Sequence, residues 1–89
     1  MPESLLLSIV VVGCGSVGRS HARAAARTPG ARLTAVVDLS EQARMPLAQE
    51  LGATPFASVE DLLVSGMAVD AAVVALPDRL HAPISLQLL

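Results

Sequence analysis

With 89 residues, 53% hydrophobic and 16% charged, the chain can build one domain with a modest core and is too apolar for disorder. A net charge of −2 and a pI near 5.5 exclude a basic nucleic-acid footprint, and the single aromatic residue, Phe56, offers no platform for stacking bases. The lone cysteine, Cys14, excludes an internal disulfide and a cysteine-pair metal site, and no apolar run approaches the roughly 20 residues that cross a bilayer.

Residues 1–7 are a lead-in. Leu5 to Val12 has the apolarity of a secretory signal core, and Val11-Val12-Gly13-Cys14 has the look of a lipoprotein cleavage box. The leader Met1-Pro2-Glu3-Ser4 has no positive charge, however, and a signal needs a basic start. A cytoplasmic chain is expected, in keeping with its unpaired thiol. Ser8 to Val12 reads as a strand, β-branched and apolar on both faces, as a central parallel strand must be.

The most informative stretch follows. Gly13-Cys14-Gly15-Ser16-Val17-Gly18 joins that strand to a helix from about Ser16 to Thr28. Strand, G-x-G-x-x-G and helix together form the pattern that takes a dinucleotide pyrophosphate. Gly13 permits the tight turn, Gly15 lets the backbone approach a phosphate, and Gly18 lets the helix lie close on the sheet. The unpaired N–H groups at the helix start, including those of Ser16 and Val17, then face the anion. Gly18, Ala22 and Ala25 make a small-residue face for packing, and Arg19, Arg23 and Arg27 a solvated basic stripe. Thr28-Pro29-Gly30 stops the helix.

Arg32 to Val37 reads as the second strand, ending at Asp38. Asp38 lies 20 residues past Gly18, the separation at which an acid meets the adenosine ribose. A carboxylate there accepts from both ribose hydroxyls and repels the 2′-phosphate of NADP, so NAD is the expected cofactor, with NADP open. The plainer alternative makes Asp38 a helix cap, with Glu41 in capping-box register; strand end, spacing and residue type favour the ribose. Arg44 reads as a surface arginine, although it is near enough to be considered for a 2′-phosphate. The helix from about Glu41 to Leu51 carries Pro46, which should bend it or move its regular part to start there. Gly52 ends it. Thr54 to Ala57 is a short strand whose proline suits an edge. Ser58 caps a helix over Val59 to Val64, closed by Gly66, and Ala71 to Leu76 is a further short strand. Just past its end stand Pro77, Asp78 and His81, in the zone where open parallel sheets hold ligands. On their own terms, Asp78 is equally a turn residue and His81 a helix-entry residue. A helix begins at Ile84.

These pieces, in this order, resemble the N-terminal half of the Gfo/Idh/MocA oxidoreductases. The resemblance lies in Gly13 to Gly18 with His21; Ala35-Val36-Val37-Asp38; Glu50-Leu51-Gly52-Ala53; Val69 to Ala75; and Leu76-Pro77-Asp78 with His81. It implies an α/β fold, a partial doubly wound parallel sheet of Rossmann type (β-α-β-α-β-α-β with the start of a further helix). A C-terminal α/β domain would follow, shaping the substrate site and usually the oligomer. The implied reaction is hydride transfer between NAD(P) and a sugar, inositol or related alcohol. By the same resemblance Gly13, Gly15 and Gly18 hold the pyrophosphate, Asp38 the ribose, and Pro77, Asp78 and His81 line the cofactor toward the nicotinamide. For His21 the resemblance leaves packing and direct contact open. Asp78 stands where the family has Asn, exchanging an amide for an acceptor-only charge. The family's Glu-Lys-Pro segment, with its catalytic lysine, has no counterpart in these residues, so the chain is expected to be part of a cofactor domain, inactive alone, with no catalytic residue assigned. An NAD-sensing regulatory module and an S-adenosylmethionine-dependent methyltransferase share the glycine loop and acid, and are the alternatives.

Overall fold

The apolar runs pair with one another in a single parallel sheet. The computed structural model describes residues 6–75. In chain order these form β1 (Leu7–Val12), α1 (Ser16–Arg27), β2 (Ala31–Val37), α2 (Glu41–Leu51), β3 (Thr54–Phe56), α3 (Val59–Val64) and β4 (Ala71–Val74). The sheet order is β3-β2-β1-β4. β1 is central as its continuous apolar run requires, and Pro55 sits on the edge strand, where its missing donor is tolerated. The register pairs Ile9 with Leu33 but Val10 with Ala35. Thr34 is therefore an extra residue on β2, and its hydroxyl donates to the Ile9 carbonyl at 3.3 Å.

Alternation along the strands divides the core between the two faces. Val11, Leu33 and Val36 pack with Ala22 of α1 and Leu47 and Ala48 of α2. Val10, Val12, Ala35 and Val37 pack with Val59 and Leu62 of α3. Helices thus cover both faces of β1 and β2, which is why those strands are apolar throughout. Full burial of each such Val or Leu side chain is worth about 1.5–3 kcal/mol.

The helices start and stop largely as the sequence indicates. Gly18 and Ala22 are the buried residues of α1. Ser58 caps α3 by accepting from the Asp61 amide at 3.1 Å, and Gly52 closes α2 in the left-handed region at φ 68°. Two of the open alternatives close. The helix from Glu41 to Leu51 runs through Pro46 without restarting there. Pro46 and Gln42 are both exposed, so the Gln42 carbonyl, which loses its i+4 donor, lies on the solvent face. The cap of α2 is Ser40, whose hydroxyl accepts from the Ala43 amide at 3.3 Å; Asp38 lies too far upstream to serve. The segment with Pro77, Asp78 and His81, and the helix expected from Ile84, lie outside the described residues.

Candidate dinucleotide site

Val12 pairs with Val37 on one side and Val74 on the other, so β1, β2 and β4 end at one level. The chain order reverses between β1 and β4. In open parallel sheets ligands bind at such a switch point, beyond the carboxyl ends of the strands, and the Gly13–Gly18 loop leaves β1 at that end.

Two glycines of the loop are required for different reasons. Gly13 has φ 101°, disfavoured for any side chain, and its amide donates to the Val37 carbonyl at 2.7 Å. A β-carbon on residue 18 would overlap the Gly13 carbonyl oxygen, so only glycine lets α1 come this near the strand end. Gly15 differs: nothing lies within 4 Å of where its β-carbon would be. The space over Gly15 is open to a ligand.

Gly15 is also the N-cap of α1, and it supplies no side-chain cap. The amides of Ser16, Val17 and Gly18 precede the helical ladder, whose first bond runs from Arg19 to the Gly15 carbonyl at 2.8 Å. The first turn carries no acidic residue. Uncapped donors at the positive end of a helix dipole, with Gly15, Ser16 and Val17 exposed, suit an anion such as a pyrophosphate.

Asp38 stands half-buried at the end of β2, and its carboxylate ties two loops together. One oxygen accepts from the Cys14 amide at 2.7 Å, the other from the Ser40 amide at 2.8 Å. Its remaining lone pairs are enough to accept from ribose hydroxyls as well. Across the turn, Arg44 Nη1 donates to the carbonyls of Asp38 at 3.2 Å and Leu39 at 3.3 Å. Cys14 points into the core and is 2% exposed. Burial pushes its thiol up to about 11, the charge of Asp38 adds to this, and Arg44 opposes it. Cys14 is a packing residue that lends its amide to the loop.

A cleft of about 290 Å³ between α1 and α2 is lined by Cys14, Gly15, Arg19 and Glu50 among others. Arg23 crosses it to Glu50 with two bonds, at 2.8 and 2.9 Å. The pair lies at the surface with both side chains exposed, in keeping with a solvated stripe, and it holds Glu50 below the usual carboxylate range. His21 is exposed among the described residues. Sequence reasoning did not find the Asp38–Cys14 bond, the Arg44 contacts or the Arg23–Glu50 pair. Ser40 directly before α2 was the one legible signal for the true cap. Among the described residues no three His, Cys, Asp or Glu side chains gather as metal ligands, and no helix is long and apolar enough to cross a membrane.

Fold and loop define a dinucleotide-binding Rossmann unit. The model of the GFO_IDH_MocA oxidoreductase family, NAD-binding Rossmann fold, matches residues 7–89. The chain belongs to the Gfo/Idh/MocA family and is an NAD-binding oxidoreductase domain, which sets aside the methyltransferase and regulatory-module readings. It is 41% identical to an inositol 2-dehydrogenase of Rubrobacter xylanophilus over 98% of its own length and 25% of the relative's. An inositol 2-dehydrogenase of Corynebacterium glutamicum is 37% identical over 88% of this chain and 23% of that one. The chain thus spans about a quarter of these relatives. Among solved structures, GenD2 from gentamicin A biosynthesis, in complex with NAD, superposes with a TM-score of 0.86 at 34% identity, covering 93% of this chain and 24% of that one. WlbA dehydrogenase from Bordetella pertussis, with NADH and UDP-GlcNAcA, gives 0.85 at 31%, covering 93% and 26%.

Proposed function

We propose that this chain is the cofactor-holding part of a dehydrogenase that moves hydride between NAD and a cyclic polyol, an inositol or a sugar. The observation that carries the reading is the open space over Gly15, bordered by the uncapped start of α1 and by Asp38. The amides of Gly15, Ser16 and Val17 would hold the pyrophosphate, Gly13 makes the turn that brings them to it, and Gly18 sets the approach of the helix that presents them. Asp38 would accept from the adenosine ribose and disfavour the extra phosphate of NADP. Pro77, Asp78 and His81 would line the cofactor toward the nicotinamide, as the family motif implies. The bound nicotinamide supplies the hydride acceptor; the chain's own part is to bind and orient it.

Residues 1–89 would be the N-terminal part of the Rossmann domain, with a substrate domain contributed by the rest of a longer, homo-oligomeric, cytoplasmic protein. The polyol class is supported by the names of the relatives, two of which are inositol 2-dehydrogenases. Assay of the complete protein with NAD and a panel of inositols, sugars and simple alcohols tests this. Turnover of an inositol or sugar supports the reading. Turnover confined to a substrate of another class overturns it.

A further inference from the structure

We propose that Arg44 is a positioning residue for cofactor choice: by donating to the main-chain carbonyls of Asp38 and Leu39, it holds the β2–α2 turn in the form that presents Asp38 to an unphosphorylated ribose. The inference rests on the NAD reading above.

Arg44 lies one helical turn past the Ser40 cap, and its own amide donates to the Ser40 carbonyl at 3.0 Å. From there the guanidinium reaches back over the turn, to 3.2 Å from the Asp38 carbonyl and 3.3 Å from that of Leu39. On the other side of the same turn, the Asp38 carboxylate accepts the Ser40 and Cys14 amides. Two residues of opposite charge thus fasten one turn, Arg44 through its carbonyls and Asp38 through its amides. The cation also lies near enough to Cys14 to oppose the rise in its thiol pKa. An arginine free on the surface would be available to a 2′-phosphate. Here Nη1 is committed to two carbonyls of the turn, and a 2′-phosphate would have to approach the Asp38 carboxylate beside them.

The test compares the chain with Arg44→Gln and Arg44→Lys by amide hydrogen exchange and by calorimetric titration with NAD and with NADP. In Arg44→Gln the amides of Cys14 and Ser40 should exchange about tenfold faster while those of Leu47 and Leu62 are unchanged, and NAD should bind about tenfold more weakly with NADP little altered. Arg44→Lys should restore part of both effects. Unchanged exchange at Cys14 and Ser40 overturns the proposal, as does acceleration of all four amides together, which marks a general loss of stability. A loss of NADP binding greater than that of NAD also overturns it, because it would make Arg44 a phosphate contact. If the parent chain binds no NAD while Cys14 and Ser40 still respond, the cofactor reading fails and Arg44's part in cofactor choice with it; the turn contact alone survives.

Discussion

The carbonyl oxygen of Gly13 occupies the place where a β-carbon of residue 18 would stand. First and last glycines of the loop are therefore fitted to each other across the start of α1, whereas Gly15 between them faces open space. The three glycines of one motif serve different ends, and substitution separates them.

Gly18→Ala should destabilise the fold, because backbone rather than a flexible side chain must give way. A loss of about 1–3 kcal/mol is expected, as for other overpacked sites. Gly15→Ala has room in the fold and should change stability by less than about 1 kcal/mol, yet weaken NAD binding at least tenfold by filling the approach. Thermal melting beside a cofactor titration for each variant checks the contrast; equal effects of the two substitutions on both readouts would contradict it.

Asp38→Ala should cost stability as well as cofactor. It leaves the amide of buried Cys14 without its acceptor, and a buried donor left unpaired costs about 1–3 kcal/mol, whereas the exposed Ser40 amide can turn to water. Asp38→Asn retains one acceptor oxygen and should fall between the two. Denaturant melts of the three chains order them. An Asp38→Ala variant as stable as its parent would mean that the carboxylate serves the ribose alone.

Much of this was written in the sequence. The β1 run and the glycine spacing located the sheet and the loop, and the helix ends came within a residue or two because caps and glycines are local signals. The contacts of Asp38 were not legible. The bond to Cys14 spans 24 residues and exists because the sheet register sets Val12 beside Val37. Arg44 had the same difficulty: its charge and spacing fit a surface residue, a phosphate contact or a turn fastener, and only the path of the turn decides. For Pro46 the sequence leaves a bend and a restart open; the helix does not restart there, and the orphaned Gln42 carbonyl lies on the solvent face.

Cys14 should make stability fall on the alkaline side. Its thiol is raised from 9.0 to about 11 in the fold, so the unfolded chain loses the proton first. The contribution is fully present below pH 9, and is lost as pH rises through about 11, to a limit of about 2–3 kcal/mol. The chain has no tyrosine and no lysine, leaving Cys14 as the only side chain titrating in that window. Unfolding midpoints at pH 8 and pH 11 should converge in Cys14→Ala and differ in the parent. The folded thiol should also resist alkylation at neutral pH and react once denaturant is added.

Leu62 is fully buried against the α3 face of the sheet. Leu62→Ala should cost about 2–5 kcal/mol, a large part of what a domain this small has to spare. Leu63→Ala, one position along and half-exposed, should cost far less. Chemical denaturation of the pair checks the helix phase of α3 directly.

The central claim is that the loop from Gly13 to Gly18 holds the pyrophosphate of NAD while Asp38 reads the ribose. Calorimetric titration of the chain with NAD and, separately, NADP tests it most directly, once circular dichroism has shown the chain to be folded. Saturable binding of NAD, with NADP weaker, is the predicted result. A folded chain that binds neither, or that binds NADP more tightly, would contradict it.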